Sequence, residues 1–122
     1  MKYMLLAYDD EEHSLTKPER DKCYIESAGI CRDLYASGHY VDASPLHPTS
    51  TATSVRIRDG KRLVTDGPFA ETREQLGGYF MINAKDLDEA ISIAARIPAA
   101  RFGTIEIRPV MEITGLPEGD GK

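Results

Sequence analysis

Two carboxylates, Asp66 and Glu71, flank the constrained turn Gly67-Pro68-Phe69-Ala70. Paired carboxylates whose surroundings split their proton affinities can act as acid and base on one substrate. The competing reading is structural: Asp66 accepts hydrogen bonds from the backbone N–H groups of its own turn. Gly67 and Pro68 shape that loop, and Phe69 is either a packing plug or a platform for a ligand. Gly77-Gly78 then interrupts an apolar run that continues into Tyr79. A glycine pair inside a strand implies a bulge or the close approach of a ligand or another backbone. It is not a dinucleotide fingerprint, because it enters a strand rather than opening a helix. Arg73 and Arg101 suit a clamp on a carboxylate or phosphate, since guanidinium matches such groups with two parallel hydrogen bonds. Ordinary ion pairs with the surplus of acids are the alternative, and the one that fits Arg108.

Other chemistries find little support. His13, His39 and His47 make no metal-ligand spacing with each other or with the cysteines, so neither a metal nor an organic cofactor is expected. His39, near a strand mouth, is the one histidine placed to act as a base, against the favoured reading of an ordinary surface histidine. Neither a nucleophile elbow nor a phosphate loop occurs. Arg56, Arg58, Lys61 and Arg62 crowd one segment, but the chain carries a net charge of −5, which argues against nucleic acid as a partner. No run approaches the length of a membrane helix and no leader peptide is visible, so a cytoplasmic protein is expected. Cys23 and Cys31 fall on one predicted helix about 12 Å apart, too far for a disulfide. Reduced, small core residues are expected there.

The elements that must position these residues follow from periodicity and punctuation. Lys2 to Tyr8 reads as a strand buried on both faces. Thr16-Lys17-Pro18-Glu19 is a capping box with proline in the first turn. The helix it opens runs to about Ser37, with Gly38 as its left-handed stop. Its inward face is predicted to hold Cys23, Tyr24, Ser27, Ala28, Ile30, Cys31, Leu34 and Tyr35, leaving Ile25 on the wet side. His39 to Ala43 is a second strand, and Ser44 to Ser50 a turn-rich break. Residues 52–58 and 61–65 pair as a hairpin around Asp59-Gly60. Leu76 to Ala84 is a core strand, and Asp86 to Ile97 a helix with Leu87, Ala90, Ile91, Ala94 and Ile97 inward. Arg101 falls on a loop, and Thr104 to Ile113 is the last strand. The order β-α-β, hairpin, β-α-β predicts an α+β domain over 1–113, a ferredoxin-like split βαβ with an inserted β-hairpin. Residues 114–122 are expected to form a flexible C-terminal tail. Helices on one side leave the other sheet face bare. A second copy would cover it, closing a dimeric α+β barrel and making the chain a homodimer.

The run Asp66-Gly67-Pro68-Phe69-Ala70-Glu71-Thr72-Arg73-Glu74-Gln75-Leu76-Gly77-Gly78-Tyr79 resembles the signature of DGPF-motif proteins in the YCII-related superfamily. Similar text recurs at Met1–Leu6, Thr51–Arg56, Asp86–Ala90, Ala94–Arg101 and Ile105–Val110, so the resemblance covers Met1 to about Met111. It implies a dimeric α+β barrel and a family of largely unassigned molecular function, some members of which lie beside or are fused to sigma factors. The YCII branch is similar to an enzyme through a helical His paired with an Asp. The first helix here has no His, so that dyad is not carried over. Phe102 stands where the family more often shows a small residue, and its ring would narrow a cleft.

Two functions remain open at this level. One is a cofactor-independent small-molecule enzyme or ligand binder, with Asp66 and Glu71 catalytic and Phe69, Arg73, Gly77, Gly78, Tyr79 and Arg101 in contact with the ligand. The other is a regulatory or interaction module associated with transcription, without catalysis, that presents the charged hairpin to a protein partner such as a transcription factor.

Overall fold

The computed structural model describes residues 1–117. Six strands and three helices follow in the order β1 (Lys2–Asp9), α1 (Lys17–Ala36), β2 (Tyr40–Pro45), β3 (Thr53–Arg58), β4 (Lys61–Asp66), β5 (Gln75–Asn83), α2 (Leu87–Ala94), α3 (Ala99–Phe102) and β6 (Thr104–Pro109), with a 3₁₀ turn at Thr49–Thr51. Four strands form an antiparallel sheet in the order β2-β5-β1-β6, and β3-β4 form a separate hairpin. This is the expected α+β, ferredoxin-like arrangement.

Local chemistry sets the element ends. Thr16 accepts from the Glu19 N–H while the Glu19 carboxylate accepts from the Thr16 N–H, completing the capping box. At the other end Gly38 takes φ +83°. The His39 N–H reaches the Leu34 carbonyl at 2.8 Å and the Gly38 N–H reaches that of Tyr35 at 3.2 Å, a Schellman closure. Asp59 and Gly60 take φ 52° and 74°, the left-handed pair a two-residue hairpin needs.

The core lies at one end of the sheet. Tyr3 and Leu5 of β1, Ile82 of β5, Leu34 of α1, and Ala90, Ile93, Ala94 and Ile97 in and after α2 are buried together. Alternation then puts Met4, Leu6 and Tyr8 of β1, and Tyr79 and Met81 of β5, on the opposite sheet face, which no helix covers.

Several boundaries differ from the sequence expectation. β2 continues through Ser44 and Pro45, because it is an edge strand and a proline there forfeits no ladder bond. α2 stops at Ala94, and Pro98 opens the short α3 instead of merely ending α2, so Arg101 lies on a helix. The buried stripe of α2 includes Ile93, while Leu87 and Ile91 are about half exposed at 51% and 49%. Asp86 caps the helix, its carboxylate accepting from the Glu89 N–H, while the Glu89 carboxylate accepts from the Lys85 N–H and approaches His39. β6 ends at Pro109, opposite Tyr3, because β1 offers almost no further strand to pair with. On α1 only Leu34 is fully buried, and Tyr24 and Tyr35 are exposed. Of the expected tail, Gly115 lies in a turn at φ +98°; residues 118–122 lie outside the described residues.

Candidate functional site

The shallow seating of α1 creates a cavity. Its inward residues over the middle of the helix are small: Cys23, Ser27, Ala28 and Cys31. The sheet beneath is equally small, with Ala7, Ala43, Gly77 and Gly78. Side chains this short cannot bridge helix and sheet, and a hollow of about 460 Å³ remains. That volume is in the range of small-molecule sites. Phe80 and Phe102 add aromatic wall, so Phe102 does border a cleft. The two free thiols line this hollow instead of filling a core, and burial pushes both up from the usual thiol range.

A second, more polar cleft of about 1000 Å³ lies between the β1–α1 loop, the segment around Pro48–Ser50 and the loop 67–75. Its rim is pinned by Glu11, whose N–H donates to Gln75 Oε1 at 3.0 Å and whose carboxylate accepts from the Thr49 N–H and hydroxyl. Asp9, Arg20, Tyr24 and Gly77 line both hollows and so form the wall between them.

Asp9 is the buried charged residue of that wall, 5% exposed. Its Oδ2 accepts from Arg20 Nη2 at 2.8 Å and from the Ser14 hydroxyl at 2.6 Å. Partial burial disfavours the Arg20 charge, but the bond and attraction to Asp9, with help from Tyr24, raise its pKa overall. The last β1 residue points inward because Tyr3, Leu5, Ala7 and Asp9 share the helix-facing side of the strand.

The register explains Gly77-Gly78. Ala7 pairs with Gly78 and Tyr8 with Leu76, which leaves Gly77 as the extra residue of a β-bulge. Its carbonyl accepts from the Leu46 N–H at 2.8 Å. A methyl on Gly78 would stand 3.0 Å from the Ser44 carbonyl oxygen, so close backbone approach requires glycine there.

The residues singled out from sequence are spread across the molecule. Gly77 and Gly78 line the cavity under α1, and Glu71, Arg73 and Gly77 line the second cleft. Asp66 ends β4 at an exposed position and Phe69 is 79% exposed; neither borders either hollow. The Asp66 and Glu71 carboxylates are therefore not gathered on one cavity wall. Gly67, at φ +97°, is held by a bond from its N–H to the Ala52 carbonyl and by the Ser54 hydroxyl on its own carbonyl, which fixes the turn. Tyr79 lies on the uncovered sheet face, where its hydroxyl donates to Asp42 Oδ2 at 2.8 Å and its pKa is raised by that bond. Arg101 makes a two-bond pair with Glu26, at 2.9 and 3.1 Å, that ties α3 to α1. Its guanidinium is engaged by a carboxylate of this chain.

Asp9 and Arg20 were not distinguished in the sequence, where Asp9 opens the acidic run Asp9-Asp10-Glu11-Glu12 and reads as loop. The apolar run Tyr3–Tyr8 does not alternate in sequence, and only the burial of Tyr3 and Leu5 in the fold carries Asp9 onto the inward face. Among the described residues, no cluster of His, Cys, Asp and Glu is arranged to hold a metal ion, and no helix is long and apolar enough to cross a membrane.

The family model for the YCII-related domain matches residues 1–114. An uncharacterized protein of Rhizobium meliloti (strain 1021) is 34% identical over 114 residues, covering 90% of this chain and 92% of that protein. With that match spanning every strand and helix of the fold, the chain belongs to the YCII-related family.

Proposed function

We propose that this chain is a small-molecule binding protein whose site is the cavity beneath α1, with Asp9 and Arg20 as its polar wall. One observation carries the reading: small residues face each other across helix and sheet, leaving about 460 Å³ beside a buried, hydrogen-bonded carboxylate. Natural cores close such gaps to near-crystalline density, so a hollow of this size beside a placed charge suits a guest. Acid–base chemistry, if the site turns a substrate over, belongs to Asp9 rather than to the Asp66 and Glu71 pair. The Ala43→Phe variant should fill the hollow. A panel of soluble metabolites should include compounds that raise the melting temperature of the native protein and leave that of the variant unmoved. A panel that shifts neither, together with a variant more stable than the native chain, would show the hollow to be a packing defect.

A homodimer is part of this proposal. The uncovered face carries Met4, Leu6, Tyr79 and Met81, all half buried in the single chain, between the polar flanks Asp42, Glu106 and Arg108. An apolar centre with a charged rim suits a second copy, sheet against sheet. A cytoplasmic location is supported by two free thiols.

A second reading, an interaction module without catalysis, has one observation of its own. Val55 pairs with Val64 across the hairpin, and with Ile57 they form an apolar face left 59–61% exposed. A two-stranded hairpin is marginal alone, and a partner on this face would stabilise it. Val55→Asp should abolish capture of any protein partner while leaving small-molecule binding intact. Capture that survives the substitution removes this reading.

A further inference from the structure

Resting on the cavity reading above, we infer that Gly77 is an aperture residue that exposes Asp9 Oδ1 to the guest, and that the guest is a mainly apolar, neutral molecule presenting a hydroxyl donor. The two oxygens of Asp9 differ. Oδ2 is taken by Arg20 and Ser14. Oδ1 receives no donor among the described residues, although the side chain is only 8% exposed. A buried carboxylate oxygen without a partner is costly. Yet no side-chain oxygen or nitrogen among the described residues is both sealed from solvent and unpartnered, so Oδ1 keeps some contact with solvent, and Asp9 borders both hollows.

What keeps it open is the missing side chain at Gly77. Its φ lies outside the left-handed region that favours glycine. Its surroundings also have room: the nearest atom to an added methyl is Asp9 Oδ1 itself, at an ordinary contact distance of 3.5 Å. Gly78 and Gly103 differ, since methyls there would meet backbone oxygens at 3.0 and 2.0 Å. Neither a left-handed φ nor crowding demands glycine at 77, and access to Oδ1 gives a reason for it beyond the bulge. The charge balance sets the ligand class. Arg20 neutralises Asp9, and apart from the exposed Arg32 the rest of the cavity is lined mainly by carbon and sulfur, so at Oδ1 a neutral body with one O–H is matched and an anion would meet a carboxylate oxygen unfavourably.

The test compares 2-naphthol, 2-methoxynaphthalene, naphthalene and 2-naphthoate on the native protein, by calorimetry and by protein NMR shifts at Ala7 and Gly78. 2-Naphthol should bind at least about tenfold more tightly than its methyl ether or the hydrocarbon, the difference of one hydrogen bond to a charged acceptor. 2-Naphthoate should be the weakest. The Gly77→Ala protein should melt close to the native temperature and lose the preference for 2-naphthol over the ether. Equal binding of the phenol and the ether, or tightest binding by the carboxylate, overturns the inference on the native protein alone and leaves the cavity reading standing. So does an unchanged preference in folded Gly77→Ala. Failure of all four compounds to bind overturns the cavity reading itself.

Discussion

Arg20 Nη2 meets Asp9 Oδ2 at 2.8 Å, joining the first turns of α1 to the last residue of β1 at the partition between the two hollows. The pair is asymmetric in burial, with side chains 26% and 8% exposed. Removing the arginine strands a nearly buried carboxylate, whereas removing both charges does not. Arg20→Met should cost about 2–3 kcal/mol, below the range for fully buried pairs because Arg20 still reaches water. Asp9→Asn combined with Arg20→Met should recover part of that loss. Urea unfolding of the two proteins decides it, and a double variant less stable than the single one contradicts the account.

The glycines supply a graded steric series. Methyls at Gly77, Gly78 and Gly103 would have nearest neighbours at 3.5, 3.0 and 2.0 Å. The Gly78 neighbour is the Ser44 carbonyl oxygen, and the Gly103 neighbour that of Tyr8; backbone of this kind cannot swing aside. Thermal melts should therefore rank the alanine variants in that order, with Gly77→Ala nearly neutral and Gly78→Ala losing about 1–3 kcal/mol, as overpacking does. Gly103→Ala should be the worst. A Gly78→Ala protein as stable as Gly77→Ala breaks the series.

Arg101 holds the Glu26 carboxyl below its ordinary value of 4.5 through their hydrogen bonds. A depressed folded-state pKa contributes stability that is fully present above the unfolded value and is lost as pH falls through the folded one. The native protein should thus exceed Arg101→Ala in melting temperature at neutral pH, by a small margin because the pair is exposed. The gap should close as the pH is taken below the ordinary carboxylate range, where the lowered Glu26 carboxyl also protonates. A gap that widens on acidification refutes the assignment.

Met81 lies at the centre of the uncovered sheet face, opposite Met4 of β1. In sedimentation equilibrium the native protein should show about twice the 13.5 kDa chain mass. Met81→Asp puts an unpaired charge into the proposed interface and should shift the species to the single-chain mass with secondary structure retained. A native protein that stays monomeric at micromolar concentration would end the sheet-against-sheet proposal.

Much of the architecture was legible because it depends on neighbours in sequence. The capping box at Thr16 and Glu19, the left-handed stop at Gly38 and the Asp59-Gly60 turn are each closed by residues within five positions of one another. Short-range chemistry of this kind is written in order along the chain. The four-strand topology is long-range, β1 pairing with β5 and β6, but β-α-β repeated around a hairpin leaves few arrangements to choose from.

The candidate site was legible only in fragments. The DGPF turn drew attention because its composition is unusual, yet Asp66 and Phe69 face outward at the end of a hairpin that stands apart from the main sheet. Arg101 looked free until α3 brought it to Glu26, 75 residues away in sequence. Asp9 looked like a surface acid among four in a row, until burial of Tyr3 and Leu5 fixed the inward phase of β1.

By itself, then, the order of residues determined most of the secondary elements, the main caps and turns, the family and the α+β class, since each rests on local propensity and period; α3 was the element it missed. Only the tertiary structure decided where the hollow lies, that Gly77 is the bulged residue, and that one acid of the acidic run is buried against Arg20. Those facts depend on strand register and on how far α1 stands from the sheet, quantities set by the sum of facing side-chain volumes and readable from no single segment.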